Sequence, residues 1–320
     1  MLMKTFLFFF LSTSFVYCQT PKSWDDEKIE VVDGSVSSVM LGAESIYKDQ
    51  WESLPQAMFW KQIMQLSPDS CLINVSATRV VLLKMPCKKW NSQTESQKGL
   101  FKDSLRKVNN LAIGEQLFVT TGKNDFYLFN DVYPSISRGV TAFELHGVDP
   151  WYAQAILLIE SPGQLKKSCA GAYGPFQLMP SVARAQGLTV TKTIDDRKDF
   201  DLSAKGSARL ISRICIPEAK KILDAHNLTY NESDLWFRLF VMHVYHAGAM
   251  NVKAVVDKIN PTVGSQDLIK QMWQTSAASF GNSSQNYTQL VLASQLILDE
   301  MVSENSKKYL SIVPNTLESE

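Results

Sequence analysis

The chain has 320 residues with 45% hydrophobic content, enough for one large domain or two modest ones around a buried core. Lysine plus arginine and aspartate plus glutamate balance at 32 each. That balance argues against nucleic acid as a partner and against a polybasic membrane surface, both of which call for a cationic excess.

Residues 1–18 read as a signal peptide. Lys4 gives a positive start, Phe6 to Leu11 form an apolar run too short to span a bilayer, and Val16 and Cys18 sit at a cleavage junction. Cys18 also offers a site for a lipid anchor, although Tyr17 is bulkier than such processing prefers. Beyond the leader, Cys71, Cys87, Cys169 and Cys215 make an even count, compatible with two disulfides or with buried thiols.

Residues 19–47 are polar and Ser/Gly-bearing, the composition of a flexible leader. A small mixed α/β region is expected over 48–130. It has a helix from about Gln56 to Gln65 and a second, capped by Ser92 with Glu95, running towards Val108. Short strands are expected at Leu117–Val119 and Phe126–Phe129, around the turn residues 122–125.

From Asp131 the pattern becomes helical, and a mainly α domain is expected over 131–305, with a tail over 306–320. Asp149-Pro150 is a helix start, a capping acceptor followed by a residue of preset φ. Trp151–Ser161 is apolar nearly all round, as for a central buried helix, and Pro162-Gly163 ends it. Further helices are expected at Pro180–Gly187, Ser203–Ala225, Asp234–Ala247, Val252–Ile259, Gln266–Thr275 and Gln289–Val302.

Three short segments bear chemistry. Glu160 is a lone carboxylate ending the run Ala155-Ile156-Leu157-Leu158-Ile159, at the negative end of a helix dipole. Desolvation and dipole together push its pKa upward, as a general acid requires; a glutamate escaping to solvent from a frayed helix end is the bland reading. Gly171 to Pro180 (Gly-Ala-Tyr-Gly-Pro-Phe-Gln-Leu-Met-Pro) is a glycine-rich turn that lacks the lysine and hydroxyl of a phosphate loop. Tyr245-His246-Ala247-Gly248 closes an apolar helix with a residue suited to a sugar-binding wall.

In this order the three segments resemble the soluble-type lytic transglycosylase family, which is related in fold to goose-type lysozyme. The family's catalytic Glu-Ser corresponds to Glu160-Ser161. Its Gly-Ala-x-Gly-Leu-Met-Gln-x-Met-Pro corresponds to Gly171–Pro180, except that Pro175 and Phe176 replace Leu-Met. Its Tyr-Asn-Ala-Gly corresponds to Tyr245–Gly248, with His246 in place of the asparagine. The acidic segment Asp195-Asp196-Arg197 also falls where the family has its Asp-rich loop, and the likeness spans about residues 131–300.

The resemblance implies a lysozyme-like domain that cleaves the β-1,4 bond between N-acetylmuramic acid and N-acetylglucosamine in peptidoglycan, with 1,6-anhydromuramic products. Glu160 would be the catalytic acid and then base, and Ser161 would support it. Ser168, Gly174, Phe176, Gln177, Met179, Tyr245 and His246 would line the substrate groove, with no cofactor or metal. The implied setting is the periplasm or outer membrane of a bacterium, with glycan strands as the partner.

Rival readings share parts of the pattern. Lysozyme-type hydrolysis of the same bond and a non-catalytic peptidoglycan-binding scaffold both fit the same fold. His243 and His246 stand three apart on a helix, but the zinc-protease signature needs a glutamate where Val244 stands, and four-residue spacing. Cys169 as a thiol nucleophile is weaker still, an exported cysteine being more often bridged or inert. Asn-x-Ser/Thr triplets at Asn74, Asn227, Asn231, Asn282 and Asn286 match a glycosylation pattern, which a bacterial chain would carry by chance.

Overall fold

The computed structural model describes residues 24–33, 36–160, 167–168 and 170–312. The signal peptide, Cys18, Ser161, Cys169 and residues 313–320 lie outside the described residues, and the tail expected from 306 is instead helical as far as Ile312.

The chain opens on a hairpin of β1 (Lys28–Asp33) and β2 (Val36–Leu41), paired antiparallel with Lys28 opposite Leu41. This corrects the expectation of a mobile leader. Met40 and Leu41 are buried in the main core, and Ile29, Val31 and Val39 pack against it. Polar residues between these apolar ones gave the segment a disordered composition, whereas its alternation is that of a half-buried strand.

α1 (Glu44–Lys48) leads to α2 (Pro55–Gln65), whose first residue is the proline that a helix start tolerates. Phe59, Trp60, Ile63 and Met64 turn one face of α2 into the main core. A three-stranded antiparallel sheet follows, in the order β4 (Val81–Pro86), β3 (Ser70–Val75), β5 (Leu117–Thr121). Between its strands come α3 (Cys87–Asn91) and α4 (Glu95–Val108). Trp90, Phe101 and Leu105 cover one sheet face, closing a second core of Cys71, Ile73, Val75, Met85 and Leu117.

Two expectations for this region shift. The capping box of α4 belongs to Thr94 and Gln97: the Gln97 amide donates to Thr94 Oγ1 at 3.3 Å, and the Thr94 amide to Gln97 Oε1 at 2.8 Å. Ser92 instead ends α3, its hydroxyl donating to the Lys89 carbonyl at 3.1 Å. Phe126–Phe129 is no strand. Lys123 and Asn124 donate backwards to Ile63 and Leu66, tying the segment to the end of α2, and Phe129 opens the next helix.

The rest is helical: α5 (Phe129–Leu145), α6 (Trp151–Glu160), α7 (Pro180–Ala185), α8 (Phe200–Leu210), α9 (Ile216–Ala225), α10 (Leu235–Ala247), α11 (Ala249–Ile259), α12 (Gln266–Met272) and α13 (Asn282–Ile312). The helix expected over Ser203–Ala225 is interrupted by a π turn at Ile211–Cys215. Pro217 has no amide to give the Arg213 carbonyl, and the widened turn accommodates that loss.

α6 is the hub. Trp151 through Ile159 are all buried, and each large apolar side chain there contributes on the order of 1.5–3 kcal/mol. Asp149 sets its start, accepting from the Trp151 amide at 3.0 Å and from Arg238 Nε at 2.8 Å. Arg238 reaches on to Glu27 with both terminal nitrogens, at 2.8 and 2.9 Å, so one buried guanidinium ties α10, the start of α6 and the turn preceding β1 together. Gln154, fully buried in mid-helix, exchanges both hydrogen bonds with the Leu41 backbone (2.9 and 3.0 Å) and donates to Gln295 on α13 at 2.7 Å.

Cys71, Cys87 and Cys215 carry free thiols. Among the described residues, no helix is long and apolar enough to cross a membrane. Asn74 and Asn286 are buried, which removes two of the Asn-x-Ser/Thr triplets from access.

Candidate active site

Glu160 is the last residue of α6, and its carboxyl emerges from an otherwise buried helix. Burial pushes its pKa up to about 7, opposed only by the Tyr287 hydroxyl. No charged neighbour among the described residues contributes. At neutral pH a large share of the group is therefore protonated, the state in which a carboxyl gives up a proton.

Three tyrosines surround it. Burial, then the Glu160 charge, raises the hydroxyls of Tyr127 and Tyr287, and Tyr245 feels the same two influences. All three stay protonated. Tyr287 lies close enough to oppose the Glu160 shift, yet its buried hydroxyl has no partner at ordinary hydrogen-bond length. A perturbed carboxyl beside a buried tyrosine hydroxyl is the kind of group that clusters at functional sites.

The glycine-rich loop is a tight hairpin, with Tyr173 paired to Leu178 and the Gln177 amide donating to the Gly174 carbonyl at 3.1 Å. Gly174 has φ 85°, and a side chain there would overlap the Arg197 carbonyl, so no other residue fits. Gln177 also lies at positive φ (46°), and its side-chain amide donates to Gly174 O at 3.0 Å. Arg197 clamps the loop from below. It pairs with both oxygens of Asp195 (2.8 and 2.7 Å) and donates to the Gly171 and Leu178 carbonyls (3.0 and 2.9 Å).

Phe176 corrects the expectation that it lines a groove. It is fully buried, stacked on Phe143 at 5.6 Å and edge-on to Phe200 at 5.7 Å. A large apolar side chain at a loop tip gains more from the core than from the rim. Its carbonyl is the part that serves the site, accepting from the Tyr245 hydroxyl at 2.6 Å, while Ser207 on α8 stands 3.3 Å from the same hydroxyl. This bond joins the end of α10 to the loop, beside Glu160.

His246 stacks on Tyr287 with ring centroids 4.1 Å apart, and desolvation lowers its pKa to about 4, so that it is neutral at pH 7. His243 turns into the core instead, with Nε2 2.9 Å from the Thr288 hydroxyl. The two rings thus serve different neighbours. Ser168 accepts from the Ala172 amide at 2.9 Å, so its hydroxyl also shapes the loop, and Met179 is exposed just before α7.

The sequence had singled out Glu160, Gln177 and Tyr245, but not Tyr127, Tyr287 or Arg197 as parts of the site. Tyr287 stands in a stretch whose only visible pattern was a glycosylation triplet, and Arg197 in one notable for its acids. No family model and no curated protein matches this chain.

Proposed function

We propose that this chain is a peptidoglycan lytic transglycosylase, with a lysozyme-like domain over about residues 131–305, exported to the periplasm or outer surface of a bacterium. The observation that carries the reading is Glu160: a lone carboxyl raised to about 7, ringed by protonated tyrosines. The order of Glu160, Gly171–Pro180 and Tyr245–Gly248 supports the same reading.

In the first step Glu160 donates its proton to the glycosidic oxygen, and the bond from that oxygen to the muramic C1 breaks. The carbonyl oxygen of the substrate's N-acetyl group bonds to C1, holding the developing cation as an oxazolinium. In the second step the Glu160 carboxylate takes the proton of the muramic O6. O6 then displaces the acyl oxygen from C1 and closes the 1,6-anhydro ring. One carboxyl alternates as acid and base, which suits a site with no charged neighbour among the described residues and departs from the two-carboxylate scheme. The Tyr287 hydroxyl keeps a donor on the carboxylate between the steps, and the Phe176–Tyr245 bond holds the loop against the sugar.

Mass spectrometry of the soluble products from purified peptidoglycan tests the reaction. Anhydro-muropeptides are expected. Reducing muropeptides would replace the proposal with lysozyme-type hydrolysis, and glycan binding without any products would replace it with a scaffold role.

A further inference from the structure

The turn joining β3 to β4 carries a side chain that the Glu160 site does not use. Arg79 is only 7% exposed and sits at φ 62°, a left-handed conformation that costs a long side chain about 1 kcal/mol or more. Its guanidinium lies 5.4, 5.9 and 5.5 Å from the rings of Phe59, Trp60 and Phe118. Nη2 donates to Asn286 Oδ1 at 2.8 Å, a neutral partner. Arg197 and Arg238, equally buried, are each paired with carboxylates, whereas among the described residues no carboxylate pairs with Arg79. Burial lowers its pKa with nothing opposing the shift. A buried cation without an anion is costly, and a guanidinium has five donors to satisfy.

Arg79 lines a half-open cavity of about 380 Å³, together with Ser76, Phe118, Trp273, Gln274, Asn282 and Gln285. That volume is within the range of small-ligand sites. Asn282 opens the long helix α13, so the positive end of its dipole faces the same space. The wall otherwise offers hydroxyls, amides and two aromatic faces.

We propose that this cavity binds a small carboxylic acid bearing hydroxyl or amide groups, with its carboxylate on the Arg79 guanidinium. The fork of a guanidinium matches a planar carboxylate. A single cation balances one negative charge, which favours a carboxylate over a phosphate dianion. Ser76, Gln274 and Gln285 then meet the neutral groups, and Trp273 covers an apolar edge. The proposal is independent of the chemistry at Glu160.

The test titrates the full chain with lactate, glucuronate, glucose and inorganic phosphate, reading thermal shift and tryptophan fluorescence, since Trp60 and Trp273 adjoin the site. Lactate or glucuronate is expected to give a saturable response that glucose does not. Arg79→Gln is expected to weaken it about tenfold or more, the loss of a charged hydrogen-bonded pair. Should that variant fail to fold, Gln285→Leu on the wall is expected to weaken glucuronate binding while the fold persists. The proposal is overturned if neither acid binds, if glucose binds equally, if phosphate binds more tightly than both acids, or if the variants bind as the wild type does.

Discussion

Glu160 holds its proton more tightly in the folded chain than in the unfolded one, and this has two consequences. Stability is fullest below the ordinary glutamate value of 4.5 and declines as pH rises to about 7. The whole difference is on the order of 3 kcal/mol. Glu160→Gln, which cannot ionise, is therefore expected to be more stable than wild type at about pH 8 by an amount approaching that figure, and no more stable at about pH 4. Denaturant unfolding at the two pH values checks this; equal stabilities at both would mean that the carboxyl is solvated. On the proposed mechanism, which needs the protonated acid first, activity is expected to fall as pH rises through about 7. This residue was legible in the sequence because a carboxylate ending an apolar run has few places to go. Phe176 was not, because a loop position does not reveal whether its ring turns to the groove or to Phe143.

The loop from Gly171 to Pro180 is held as an element by Arg197 and by backbone that only glycine adopts without strain. Gly174→Ala is expected to cost more than about 3 kcal/mol, combining positive φ with overlap of the Arg197 carbonyl. Gly171→Ala, at φ 94° with no atom of the described residues near the added Cβ, is expected to cost only about 1–2 kcal/mol. Thermal unfolding of the pair separates strain from close approach, and equal losses would rule out the Arg197 contact as the cause. The glycines announced a tight turn; the arginine that clamps them is more than twenty residues on, beyond any local pattern. The same limit explains the misplaced cap of α4, where Ser92 and Thr94 both precede an acceptable partner and only the folded end of α3 decides between them.

Across the whole molecule, α6 joins the N-terminal hairpin to the helical body through Gln154. Replacing it by leucine would leave the Leu41 amide and carbonyl buried without partners, at about 2–4 kcal/mol. Faster hydrogen exchange at the Leu41 amide in Gln154→Leu is the expected signature; unchanged exchange would show that apolar packing alone seats the hairpin. The mainly helical character and most helix positions after residue 131 were legible, because apolar periodicity there is strong. The docking of residues 28–41 was not, since it depends on a glutamine more than a hundred residues away. All these parts converge on one carboxyl, and the most direct test is release of soluble muropeptides from purified peptidoglycan by wild type and by Glu160→Gln. Release by wild type, reduced at least about 100-fold in the variant, is the expected result. Equal release by both proteins, or none by either, would contradict the account.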